Sequence, residues 1–221
     1  MQGILSDTAI LSAIESGDIQ IDPFNPEQLN ITSYDLTLGD EVRVYSDWVE
    51  HLPVFGEGQE HLIATDGRYL EPLNKLLDVG KEPQTIGWKF DSKSGLILRP
   101  GIGYLMHTRE RVHTKKYNPI LDGKSSIGRL FIQVHATAGY GDPGFDGQYT
   151  LEVIVQHPVR VYPGMRICQI RFHTIAGELS KTYDQVGHYT SSQARGAVPS
   201  QAWRQFRTKT KVSIPRAKRI V

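Results

Sequence analysis

The chain has 221 residues, 39% of them hydrophobic, which is enough to bury one real core and asks for no second domain. Lys and Arg number 25 against 24 Asp and Glu, so no global field argues for a nucleic acid or a membrane surface, and any charge effect has to be local. The single cysteine, Cys168, excludes an internal disulfide, and with no apolar N-terminal stretch the expected setting is soluble, reducing and cytoplasmic.

Ser6 or Asp7 is placed to cap a short helix with Ile10, Ala13 and Ile14 on one face, and Gly17 to end it. After Pro23 and Pro26 the chain reads as extended, with Asp35 to Leu38 alternating before Gly39 and then Val42, Val44 and Tyr45. Residues 46–95 hold no period for long and read as an elaborated loop region with short strands. From Leu96 the β signal sharpens. Runs at Leu96–Leu98, Gly103–Thr108, Leu130–His135, Tyr149–Val155, Val159–Tyr162 and Arg166–Phe172 are separated by turns such as Pro100-Gly101 and Pro163-Gly164, which argues an antiparallel sandwich or barrel. Cys168 alternates in phase with Ile170 and Phe172 and reads as core. The end of the chain carries Arg204, Arg207, Lys209, Lys211, Arg216, Lys218 and Arg219 and no acidic residue: a solvated tail, or a contact for a nucleic acid or partner.

The chemistry concentrates in the middle. Gly123-Lys124-Ser125-Ser126-Ile127-Gly128-Arg129-Leu130 would present hydroxyls, backbone N–H groups and a guanidinium to an anion if a turn leads into a helical start; a plain capping motif is the other reading. Thr137-Ala138-Gly139-Tyr140-Gly141-Asp142-Pro143-Gly144-Phe145-Asp146-Gly147 follows, and Asp142 there opens a turn sequence that on its own could be only structural. In the next strand, period two puts Tyr149, Leu151, Val153 and Val155 on one face and Thr150, Glu152 and Ile154 on the other. Glu152 is then either an ordinary solvent-facing glutamate or a carboxylate desolvated by its apolar neighbours, able to shuttle a proton near neutral pH.

In order and spacing these segments resemble the dCTP deaminase branch of the dUTPase-like nucleotide enzymes, whose pattern runs Gly-Arg-Ser-Ser-x-x-Arg-Leu, then Thr-Ala-x-x-Ile-Asp-Pro-Gly-Phe/Trp-x-Gly, then Leu-Glu. Met1 to Asp7 with Ser33 to Gly39 resembles the family's N-terminal module, Pro163 to Ile170 its late strand, and Tyr189, Gln193 and Gly196 its closing segment. The resemblance implies a mainly β, distorted jelly roll or barrel of the dUTPase-like type with a few short helices. One such domain would span residues 1–202, elaborated over 41–92, with a basic tail at 203–221. It also implies a reaction, dCTP to dUTP and ammonia without zinc. Glu152 would activate the water and protonate N3 and the leaving amine, Ser125 and Arg129 would reach the base, and Asp142 would meet the deoxyribose 3′-hydroxyl and orient a phosphate-attacking water. Lys124 and Ser126 would hold triphosphate oxygens, Thr137 and the Ala138 backbone the water or base, and Tyr183, Tyr189, Gln193 and Arg195 would complete substrate binding. A homotrimer with shared sites is implied, the Ser125 to Arg129 segment facing a neighbour's Glu152.

The chain departs from the family pattern in three places, one of them a pair of residues. Lys124 stands for the usual Arg and loses a bidentate grip, Gly141 replaces an apolar residue, and Gly139-Tyr140 resembles the Gly-Trp of bifunctional members that continue to dUMP and pyrophosphate. A small Gly139 would leave room for a water at the α-phosphate. Zinc chemistry of the usual deaminase kind needs two or more cysteines, so magnesium carried mainly by the triphosphate is expected, with no metal-ligating side chains assigned. Two other readings stay open: a dUTP diphosphatase, which has no need for Glu152, and a non-catalytic nucleotide-binding regulator, which could lose the carboxylates.

Overall fold

A computed structural model describes residues 3–46, 77–189 and 196–207. Gln193, Arg195, most of the elaborated segment and the tail from 208 lie outside the described residues. Ser6, in extended backbone, accepts the Ala9 N–H at 3.4 Å and so answers one of the donors that a helix start leaves open; α1 (Asp7–Glu15) follows and buries Ile10 and Ala13.

The strands are β1 (Ile19–Asp22), β2 (Tyr34–Thr37), β3 (Glu41–Tyr45), β4 (Thr85–Lys89), β5 (Leu96–Leu98), β6 (Tyr104–Thr114), β7 (Tyr117–Gly123), β8 (Ile132–Gln133), β9 (Asp146–Val155), β10 (Val159–Val161) and β11 (Arg166–Thr174). Short helices α2 (Ser125–Gly128), α3 (Tyr183–Val186) and α4 (Arg204–Arg207) and a 3-10 turn at Pro26–Gln28 complete the described elements. The larger sheet runs β4-β3-β6-β9-β8, with β1 also on β6; a second runs β2-β11-β7, and β10 pairs with β5. Every one of these pairings is antiparallel. Leu36 of β2, Met106 of β6, Leu151 of β9 and Ile170 and Phe172 of β11 are essentially fully buried in one core, each contributing about 1.5–3 kcal/mol by the usual measure of apolar burial. Cys168 lies there too, and burial pushes its thiol up, which leaves it inert.

β7 carries no strand signal in the sequence because Asn118 and Pro119 interrupt its apolar run. At the edge of the β2-β11-β7 sheet a proline is tolerated, since its missing N–H costs the ladder little. The expected strand at Leu130–His135 shrinks to Ile132 and Gln133, because α2 and a left-handed Phe131 (φ 53°) take up the residues before it.

Between β6 and β9 the register slips from His107↔Thr150 to Arg111↔Gln148, so three residues of β6 face Tyr149 alone. The bulge is satisfied from within: the Thr108 hydroxyl accepts the Tyr149 N–H at 3.0 Å and donates to the Glu110 carbonyl at 2.8 Å. It also turns Glu110 inward, 1% exposed. There one carboxylate oxygen accepts from Gln28 Nε2 (2.9 Å) and the Thr37 hydroxyl (2.7 Å), and the other from the Thr37 N–H (2.8 Å). Removing a buried acceptor strands its donors. Glu110→Ala is therefore expected to lower unfolding free energy by about 3 kcal/mol in urea titrations, and Glu110→Gln by about half of that.

Candidate active site

β9 lies beside β6, and β6 beside β3, in a register that sets Glu152 opposite Leu105 and Leu105 opposite Arg43. Glu152, half-buried between the core residues Leu151 and Val153, points with Gln148 and Thr150 into a cleft of about 530 Å³. Its Oε2 accepts the Ala136 N–H at 3.4 Å. Tyr45, two residues along β3, reaches the same cleft. Burial, with smaller contributions from Tyr189 and Glu152, raises its phenol above the ordinary tyrosine range, so it stays a protonated neighbour of the glutamate.

The opposite wall is the loop from Ala136 to Asp142. Thr137, Ala138 and Asp142 all line the cleft, and Asp142 is exposed at its rim. The loop hangs on the edge of β7 by two backbone bonds, Leu121 N–H to the Gly139 carbonyl (2.7 Å) and Gly141 N–H to the Pro119 carbonyl (2.9 Å), and by the Asn118 side-chain amide, whose Nδ2 donates to the Gly141 carbonyl. Such close approach explains two glycines. A Cβ on Gly139 would stand 2.4 Å from the Leu121 carbonyl oxygen and 3.0 Å from the His135 ring; one on Gly141 would meet the Pro119 oxygen at 2.9 Å and the Tyr149 hydroxyl at 3.0 Å. The space that a side chain on Gly139 would take is thus filled by Leu121 and His135.

Tyr183 and Tyr189 close a third side. Tyr183 opens α3 under a reciprocal Thr182/Gln185 cap and packs edge-on against Phe145 at 5.8 Å, with burial raising its phenol above the ordinary range; its hydroxyl accepts the Tyr189 N–H at 3.3 Å. From Gly196 the chain is pinned along β9, the Gly196 N–H to Gln148 Oε1 at 2.7 Å and the Val198 N–H to the Thr150 hydroxyl at 3.0 Å. The Ser200 N–H then bonds the Tyr45 hydroxyl at 3.2 Å.

The other named residues stand apart. Ser125, Ser126 and Arg129 are exposed on and just after α2, which follows β7 through the single extended residue Lys124 and not through the expected turn, and none of them lines the cleft. Lys124 is not free: its ammonium bonds the fully buried Asp35 carboxylate, which Arg166 also approaches at 3.5 Å. One chain therefore gathers Glu152, Asp142, Thr137, Ala138, Tyr183 and Tyr189, and leaves the Ser125 to Arg129 group elsewhere. Tyr45, Phe145 and Tyr149 were missed as site residues. Tyr45 comes in through strand pairing and Tyr149 through the bulge, neither of which a linear pattern displays. Among the described residues no group of three or more His, Cys, Asp and Glu side chains is placed to hold a metal, and no helix is long and apolar enough to cross a membrane.

Antiparallel sheets around one core, with a carboxylate on an inner strand and a second at the rim of the same cleft, define a mainly β fold with two acidic side chains on one cavity. A family model described as dCTP deaminase-like matches residues 4–175. The chain belongs to that family. It is 38% identical over 206 residues to a Leptospira biflexa protein named "dCTP deaminase, dUMP-forming" (93% of this chain, 99% of that one), and 37% identical over 203 residues to one of the same name from Clostridium botulinum (92% and 98%). Among solved structures, the 2′-deoxycytidine 5′-triphosphate deaminase of Agrobacterium tumefaciens aligns with a TM-score of 0.52 at 24% identity, over 78% of this chain and 48% of that one. The mainly β fold with a few short helices is the expected one, and it is shared with that deaminase.

Since a side chain at Gly139 has nowhere to go, Gly139→Ala must push the loop off β7. A loss of about 1–3 kcal/mol in stability is expected. Nucleotide affinity measured by calorimetry should fall with it, because Thr137, Ala138 and Asp142 move as one segment.

Proposed function

We propose that the protein deaminates dCTP and carries the product on to dUMP and pyrophosphate in the same site. What carries this reading is the placement of two separate carboxylates, Glu152 and Asp142, on one cleft in a chain that aligns nearly end to end with relatives named for dUMP formation. Glu152 takes a proton from water as its oxygen adds to cytosine C4 and delivers that proton to N3; the proton of the added hydroxyl then passes to the amine, which leaves as ammonia. Glu152 is half-buried between Leu151 and Val153 and reaches the cleft, where a bound base would meet it. Asp142, at the rim, is placed to hold the sugar hydroxyl and orient a second water toward the α-phosphate, releasing pyrophosphate.

Phosphate and base contacts are assigned to Ser125, Ser126 and Arg129 of a second copy of the chain, in a homotrimer. The support is geometric: these side chains are exposed and off their own cleft, which otherwise offers a triphosphate no cation from the described residues. Lys124, tied to Asp35, anchors their segment in this chain; its contact with triphosphate oxygens would require exchange of that pair. Magnesium fits as an ion carried by the triphosphate, because a hard cation that keeps its waters needs no cage of protein ligands, and none is formed among the described residues. When bound it neutralises phosphate charge. Gln193 and Arg195, outside the described residues, keep the substrate-binding role that the family resemblance gives them.

Two experiments test this. Purified protein given dCTP and Mg²⁺ should release ammonia and pyrophosphate together with little free dUTP. Glu152→Gln should lose roughly 10² to 10⁴ in ammonia release while keeping nucleotide binding, and Asp142→Asn should lose pyrophosphate release more than ammonia release. Turnover of dUTP alone would leave a plain dUTP diphosphatase. For the shared site, mixing inactive Glu152→Gln and Arg129→Ala proteins under subunit exchange should restore activity, since some sites receive both intact halves; no recovery would place the Arg129 group in its own chain's site.

A further inference from the structure

Tyr149 is the residue of this cleft whose chemistry is still unused. The bulge leaves it alone opposite three residues of β6, and instead of lying wholly with Leu151 in the core it is half-buried. Its ring packs against Phe145 at 4.7 Å, and its hydroxyl is enclosed against Gly141 without a hydrogen-bond partner among the described residues. The hydroxyl occupies room that only a glycine leaves: a Cβ on Gly141 would stand 3.0 Å from it. Gly141 cannot retreat, because β7 holds both its N–H and its carbonyl. Residue 141 and residue 149 thus form a matched pair, and their contact lies directly beside Asp142 in the chain.

The phenol keeps its proton. Burial, and after it the charge of Asp142, raises it well above the ordinary tyrosine range. A protonated, enclosed hydroxyl with no acceptor costs stability for as long as it stays unpaired. Asp142 follows Gly141 in the chain and lines the same cleft as Tyr149, with its side chain exposed at the rim.

We propose that Tyr149 is a positioning residue: when nucleotide binds, its hydroxyl donates to the Asp142 carboxylate and fixes that carboxylate for the sugar hydroxyl and the phosphate-attacking water. The inference rests on the dCTP-to-dUMP reading. A charge-assisted bond from a neutral phenol holds one carboxylate oxygen and leaves the other for the ligand. Misplacing a catalytic group by an ångström costs on the order of a hundredfold, which sets the scale of the effect.

The test is a cycle of Tyr149→Phe, Asp142→Asn and the double variant, with pyrophosphate and ammonia release read separately and melting temperature measured for each. Tyr149→Phe is expected to lower kcat/KM for pyrophosphate release by roughly tenfold to a hundredfold. It should affect ammonia release less and leave the melting temperature equal or higher, because an unpaired buried hydroxyl has been removed. In the Asp142→Asn background the same change should add less than about twofold, since groups that act through one another are not additive. Wild-type rates for Tyr149→Phe, a full independent loss in the double variant, or a lowered melting temperature would each overturn the inference. A wild-type protein that releases ammonia but no pyrophosphate from dCTP or dUTP defeats the dUMP-forming reading first, and this inference falls with it.

Discussion

The pairing of β6 with β9, and the bulge that interrupts it, is the constraint on which the rest of the site depends. On one side of the slip the ladder is regular, so Leu151 and Val153 face the core and Glu152 faces the cleft between them. At the slip Tyr149 is opposed by three residues, and its side chain serves both the core and the cleft. The extra residues of β6 are not idle: Thr108 restores the missing ladder bond, and Glu110 is turned inward, where its carboxylate ties β6 to β2 and to the turn holding Gln28. A single irregularity thereby aims the site and joins the two sheets.

The second constraint is the edge of β7. An edge strand presents unpaired backbone groups, and here those of Pro119 and Leu121 are covered by the Gly139 to Gly141 loop. Proline suits this arrangement because its carbonyl, the group the loop uses, is the one it retains. The loop's glycines follow from backbone meeting backbone. The departure at Gly141, which from the sequence put the local geometry in doubt, is matched by a phenol from β9 that fills the space an apolar side chain would take.

Much of the core was legible because alternation is a local signal: Cys168, Ile170 and Phe172 share a face as expected, and α1 begins and ends where its capping residues say. The carboxylates could be named from motif resemblance, and both reach the cleft. What the sequence did not display depends on contacts between distant segments. β1 and β7 are short or interrupted and owe their form to β6 and β11; Tyr45 enters the cleft only through two strand registers; Tyr149 meets the cleft as well as the core because the bulge lies on its partner strand, β6. Pattern reading sees one strand at a time, and a register slip belongs to two.

Lys124 shows how a change of side chain redistributes work between fold and site. An arginine there could offer a fork to a phosphate; a lysine is a compact point charge with a flexible stem, and here it settles on Asp35, which is fully buried and would be costly to leave unpaired. Arg166 approaches the other carboxylate oxygen at 3.5 Å, so the buried carboxylate holds β2, β11 and the entry to α2 together. With Lys124 engaged inward, the groups left facing outward are the two serine hydroxyls and the Arg129 guanidinium. The segment is thus tied to the fold at its root, through Lys124 and Asp35, and polar at its tip, so ordering the root adds no further cost when the tip meets a ligand.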